Sequence, residues 1–151
     1  MREFKSIDDI LDFAIDEEQK AVDFYTSLAS KATSDDMRKV FEEFAGEEVT
    51  HKMRLVKVKE EGLYEMKPEK VADLRIVDFL VNVKPTPDMT YQDALIVAMN
   101  KEKAAFKLYM TLSDRAESSQ MKELFLGLAQ EESKHKLRFE LEYDEYVYRE
   151  N

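Results

Sequence analysis

Along residues 11 to 32 the apolar positions Leu11, Ala14, Ala21, Tyr25, Leu28 and Ala32 recur with alternating gaps of three and four, and Glu18 falls in the same register. Such spacing is the buried stripe of an amphipathic helix. Ser6 ahead of Asp8 and Asp9 places an oxygen cap and acidic residues at the positive end of the helix dipole. Helix A is therefore predicted over about residues 6–32. Thr33 to Asp36 carries side chains that compete for backbone hydrogen bonds and favour a turn. Helix B follows over about 35–61, through Met37, Phe41, Phe44, Glu48, His51 and Leu55, with Gly62 as its stop. Thr90 with Asp93 opens helix C over about 91–116, and Ser118 or Ser119 caps helix D over about 119–146. Residues 62–89 have a different texture, with Pro68, Pro85 and Pro87 bounding an apolar stretch from Val71 to Val83. This connector reads as a crossover carrying a short helix or turn.

The pattern occurs twice. Glu18, Tyr25, Glu48 and His51 return 84 residues later as Glu102, Tyr109, Glu132 and His135, and residues 11–54 share 16 of 44 positions with residues 95–138. The chain is read as a duplicated helical hairpin. Because both hairpins repeat in the same direction, the crossover must carry the chain from the end of B back to the start of a parallel C. The expectation is one all-α domain over residues 1–151, a four-helix bundle of two repeated hairpins.

Composition supports that class. With 37% charged residues, three Gly and three Pro, the chain suits long surface helices better than a turn-rich β fold. A formal net charge of −10 argues against nucleic acid or an anionic membrane as partner. No signal-peptide core is visible and no apolar run approaches the roughly 18 residues that span a bilayer, so a cytoplasmic location is expected. Without cysteine the chain can form neither a disulfide nor a thiolate iron site, and any electron must come from a partner.

The chemistry lies in the interruptions of the apolar stripe. In an antiparallel hairpin, residues equidistant from the turn lie at one height. The midpoint of Glu18 and Glu48 is Thr33, and that of Glu102 and Glu132 is Glu117, each in a predicted turn. The facing pairs therefore sit about 22 Å from their loops at 1.5 Å per residue. The only two histidines, His51 and His135, each close a Glu-x-x-His unit projecting from one helical face. A single glutamate on an amphipathic helix is by default solvated. Four at matched heights in positions that call for Leu or Ala would repel one another and cost several kcal/mol each in desolvation unless neutralised. Two dications balance four carboxylates, neutral imidazoles add no charge, and the oxygen-rich set suits iron or manganese. Glu47 and Glu131 also repeat, but are rotated by about 100° from the ligands toward the surface or the periphery of the site. Tyr143, Tyr146 and Tyr148 read as a cap on the core, the alternative being a contact with another subunit.

Glutamates from two helices plus two Glu-x-x-His units resemble the ligand set of the ferritin-like di-iron carboxylate bundles. The stretches AIDEEQKAVDFYTSLA and FEEFAGEEVTHKM, with tyrosine seven residues after the first glutamate, resemble the rubrerythrin branch. The resemblance implies two iron ions, with manganese or a mixed pair as alternatives. Glu48 and Glu132 would bridge the metals, Glu18 and Glu102 would be terminal ligands, and His51 and His135 would bind one metal each. Tyr25 and Tyr109 would orient carboxylates on facing helices. Two features depart from the branch. Rubrerythrins carry a further glutamate three residues after the third-helix ligand, where this chain has Ala105, and no rubredoxin domain is present. The symmetric six-ligand set is closer to that of bacterioferritin, yet only 16 residues follow His135, so a storage shell is not expected.

The function expected from this resemblance is an oxidoreductase reacting with dioxygen or hydrogen peroxide in defence against oxidative stress, fed by an external donor such as a rubredoxin-type protein. The alternatives are a ferroxidase that handles iron and a metal-free structural bundle. Monomer and homodimer both remain open.

Overall fold

The computed structural model describes residues 4–81, 85, 86 and 88–150. Among them every regular element is helical: α1 (Ile7–Lys31), α2 (Asp35–Glu60), α3 (Pro68–Ala72), a 3-10 turn (Ile76–Phe79), α4 (Tyr91–Arg115) and α5 (Ser119–Glu150). The fold is an all-α bundle.

Short polar side chains set where each long helix begins. Ser6, Ser34, Thr90 and Ser118 each accept a hydrogen bond from the backbone N–H three residues on, at 3.0–3.1 Å, satisfying a donor that the first turn leaves unpaired. At the end of α2, Gly62 takes φ 60°, a left-handed conformation that glycine adopts without steric penalty. The Leu63 N–H then bonds Val58 O at 3.0 Å and the Gly62 N–H bonds Lys59 O at 3.2 Å, which closes the helix and turns the chain into the crossover.

α1 pairs with α2 and α4 with α5 as antiparallel hairpins, α1 lies against α4, and side chains of α2 meet those of α5. The crossover is fastened to the second hairpin by the Tyr64 hydroxyl on Leu112 O at 2.7 Å and by Arg115 Nη1 on Lys70 O at 2.9 Å. Phe79, buried in the 3-10 turn, lies under the Lys107 ammonium on α4. Val83 and Pro87, expected within the crossover, lie outside the described residues.

α5 runs on to Glu150, past the end near Tyr146 expected from sequence. The turns before that extension are held by contacts with the start of α4: Tyr91 OH donates to Glu142, Gln92 Nε2 donates to Tyr143 OH, and the rings of Tyr91 and Tyr146 meet edge to face at 5.1 Å. Of the three C-terminal tyrosines only Tyr143 and Tyr146 pack on the core, while Tyr148 is 83% exposed. No described helix is long and apolar enough to cross a membrane.

The apolar interior is split. One cluster gathers Ile10, Leu11, Leu55, Leu112 and Phe125, the other Leu28, Phe41, Leu95 and Phe139. Between them lies a layer of buried polar side chains.

Candidate metal centre

That layer consists of Glu18, Glu48, His51, Glu102, Glu132 and His135, all buried. They form two overlapping groups, Glu18, Glu48, His51 and Glu132 on one side and Glu48, Glu102, Glu132 and His135 on the other. Within each group one nitrogen or oxygen from every residue lies within 4.8 Å of all the others. Glu48 and Glu132 belong to both. The stripe register of all four long helices accounts for the convergence, since each carries a glutamate at an inward position and α2 and α5 add a histidine one turn further on.

Six buried atoms in this layer have no hydrogen-bond partner: Glu18 Oε2, Glu48 Oε1, His51 Nδ1, Glu102 Oε2, Glu132 Oε1 and His135 Nδ1, one from each residue. Distance is not the obstacle. His51 Nδ1 lies 3.0 Å from Glu132 Oε1 and 3.4 Å from Glu48 Oε1, and His135 Nδ1 lies 3.2 Å from Glu48 Oε1. One such atom from every residue of the layer thus crowds into the two overlapping groups. Unsatisfied buried polar atoms are individually costly. Six of them in one layer, four carboxylate oxygens and two imidazole nitrogens, are a donor set that fits a pair of cations.

The remaining atoms of these side chains are held. Tyr25 OH donates to Glu102 Oε1 across from α1 to α4, and Tyr109 OH donates to Glu18 Oε1 in the reverse sense. Glu131 Oε2 lies 2.8 Å from His51 Nε2, and Glu47 Oε2 lies 2.8 Å from His135 Nε2, each reaching between α2 and α5. Glu47 and Glu131 thus lie at the periphery of the site, as their rotation of about 100° from the ligands placed them, half-exposed and each on the far nitrogen of a histidine. The neighbouring helix brings a histidine to each, and a carboxylate on Nε2 fixes the tautomer that leaves Nδ1 free for a metal. Phe44 stacks on the His135 ring with centroids 4.0 Å apart, a contact with no sequence signal because it joins different helices.

Electrostatics point the same way. Burial raises Glu18 and Glu132 well above the ordinary carboxylate range, reinforced by repulsion from Glu48 in the first case and from Glu102 and Glu48 in the second. Burial and Glu48 also raise Glu102. Burial opposes charge on the imidazoles, yet Glu102 and Glu48 push His135 up to about 11, and Glu48 and Glu131 raise His51. Glu48 alone is depressed: burial would raise it, but His135, His51, Glu132 and Glu18 outweigh that. Without cations, protons gather in the layer to limit the repulsion.

Removing the orienting carboxylates tests their part. Glu131→Ala should weaken metal binding about 10–100-fold at the His51 side and Glu47→Ala by a similar factor at the His135 side, each sparing the other position. Isothermal titration with manganese(II) would resolve the two sites.

A helical bundle whose centre gathers two overlapping clusters of three glutamates and a histidine has the donor set of a di-metal carboxylate site. A family model described as Rubrerythrin matches residues 9–81 and 93–151, and the chain belongs to that family. Its fold is similar to that of a crystal structure described as a ferritin-like diiron-carboxylate protein from Thermotoga maritima, with a TM-score of 0.76 at 22% identity, covering 97% of this chain and 99% of that one. No curated protein matches the chain.

Proposed function

We propose that the protein is an oxidoreductase whose centre holds two iron ions and reduces hydrogen peroxide or dioxygen. Four carboxylates and two imidazoles form a hard donor set that tolerates both ferrous and ferric iron. Two iron ions there would supply two electrons between their reduced and oxidised forms, as many as the O–O bond of a peroxide requires.

The observation that carries this reading is a cavity of about 30 Å³ at the seam of α1 and α4. It touches Glu18, Glu48, Glu102 and Glu132 but neither histidine, so it opens on the carboxylate face of the centre. The small side chains of Ala21, Ala104 and Ala105 leave the space, and Phe13, Phe79 and Val81 also line it. A cavity needs about 10–15 Å³ to admit a water, so this one has room for a molecule of two heavy atoms beside the carboxylates. Ala105 occupies the position where rubrerythrins carry their extra glutamate, and its methyl group leaves room that a longer side chain would fill. Tyr25 and Tyr109 hold one oxygen each of Glu102 and Glu18, leaving the other oxygen free to change partners as the charge at the centre changes. Electrons come from an external one-electron donor of the rubredoxin type.

Anaerobic loading with two ferrous ions per chain, followed by one equivalent of hydrogen peroxide, tests the proposal. A near-ultraviolet ferric carboxylate absorption should develop and be bleached by added reductant. Absence of the band refutes the redox reading, and sustained oxidation of excess ferrous iron would favour iron handling instead.

A further inference from the structure

Outside the centre, one charged side chain is buried among the described residues: Glu142, 2% exposed. It lies on the inward stripe of α5 that runs through Leu128, Glu132, His135 and Phe139. Tyr91 OH, also buried, donates to Glu142 Oε2 at 2.8 Å, and Arg149 Nη2 stands 4.0 Å from the same oxygen. The residues 84 positions earlier are Ile7 and Val58. Hydrocarbon serves at those positions in the first half, whereas the second half buries a phenol and a carboxylate, at a desolvation cost that packing does not require.

Aromatic rings connect this pair to the centre. Tyr25, hydrogen-bonded to Glu102, lies 5.2 Å from Phe139 between centroids. Phe139 lies 5.8 Å from Phe41, Phe41 6.2 Å from Tyr91, and Tyr91 5.1 Å from the half-buried Tyr146. A second arm leaves from Tyr109 through Phe125 to Tyr64, at 6.1 and 5.2 Å. It ends differently: Tyr64 OH donates to the backbone carbonyl of Leu112. A carbonyl accepts a hydrogen bond but is not a proton acceptor at ordinary acidity, while a carboxylate is both. Burial, reinforced by Glu142 and opposed by Arg149 and Arg138, keeps Tyr91 a neutral phenol, so losing an electron obliges it to lose a proton as well.

We propose that Tyr91 and Glu142 form a proton-coupled one-electron relay between the metal centre and the α5 end of the bundle. In the forward step Tyr91 gives one electron to the centre, oxidised by peroxide or dioxygen, with Phe41, Phe139 and Tyr25 as the bridge. The O–H bond of Tyr91 breaks and its proton passes to Glu142 Oε2, leaving a neutral phenoxyl radical beside a neutral carboxylic acid. In the return step a one-electron donor protein at the Tyr146 edge supplies an electron, and Glu142 gives the proton back. The physiological oxidant rests on the function proposed above, but the pair can be tested without it.

The experiment uses the full-length chain without added metal, carrying Tyr148→Phe to remove the exposed phenol, and oxidises it by flash-quench with a ruthenium tris-bipyridine sensitiser. A long-lived tyrosyl signal should appear in electron paramagnetic resonance, be lost in Y91F and in E142Q, and survive in Y64F. Its formation should slow in deuterated buffer with both residues intact, a measurement that needs no folded variant of the pair. A signal that persists in Y91F, or formation indifferent to deuterium, overturns the relay. If Tyr91 gives the radical while the iron-loaded chain reacts with neither oxidant, the relay stands and the proposed function fails. Peroxide consumption without a Tyr91 signal leaves the proposed function standing and removes the relay.

Discussion

Glu132→Gln should abolish metal binding at both positions, taking the stoichiometry measured by mass spectrometry and manganese titration from two per chain to none. Glu132 belongs to both ligand groups and its unpartnered Oε1 lies 3.0 Å from His51 Nδ1 and 3.9 Å from His135 Nδ1, so one amide removes a charge and a donor from each position. Glu48→Gln should do the same for the same reason. The loss should exceed the roughly 100-fold upper range seen when an outer partner is removed, because a bridging ligand also screens the two cations from each other. His51→Ala is the contrast: His51 belongs to one group only and should leave one ion bound at the His135 side. Two ions retained in E132Q would sink the assignment of the shared glutamates. The variant should fold without metal, since an amide there removes the carboxyl whose charge burial and the repulsion of Glu102, Glu48 and Glu18 disfavour.

Metal removal should give the second large effect, and its size should depend on pH. At a thousandfold excess over Kd each ion stabilises the fold by about 4 kcal/mol, or roughly 8–16 °C in Tm for a domain of this size. Glu18, Glu102 and Glu132 have folded-state pKa values above their unfolded ones, so the folded layer binds more protons. Their contribution is complete below the unfolded value of about 4.3 and is lost as pH rises through the folded values. His135, raised to about 11, and His51 act in the same direction, losing stability as pH climbs above about 6.5. Glu48, being depressed, acts oppositely and matters only in acid. Between about pH 6 and pH 9 the chelator-treated protein should therefore lose stability, whereas the loaded protein should hold it, because protons compete with metal for the same atoms. Differential scanning calorimetry with EDTA and with manganese(II) would measure the widening gap. A gap that narrows with rising pH would mean that the layer is not the metal site.

Several features of the centre are legible one helix at a time. Glu18, Glu48, Glu102 and Glu132 occupy stripe positions, and a helical register decides which face a side chain shares whatever packs against it. The same register held the signal for Glu142, which continues the α5 stripe three residues past Phe139, yet without a repeated partner it does not stand out from a chain with 33 acidic residues. The roles of Glu47 and Glu131 depended on how closely α2 and α5 approach, and that follows from crossing geometry set by the packed side chains.

By itself the amino-acid sequence determined the helical class, the caps that start each helix and the inward placement of the glutamates and histidines, because these depend on local backbone chemistry and on periodicity within about one turn. The tertiary structure alone decided which tyrosine reaches which glutamate, that Ala105 lines a cavity of diatomic size, and that Tyr91 meets Glu142 at the end of an aromatic ladder. Those are contacts between residues 51 to 91 positions apart in the chain, fixed by the packing of whole helices and the path of the crossover rather than by any local preference.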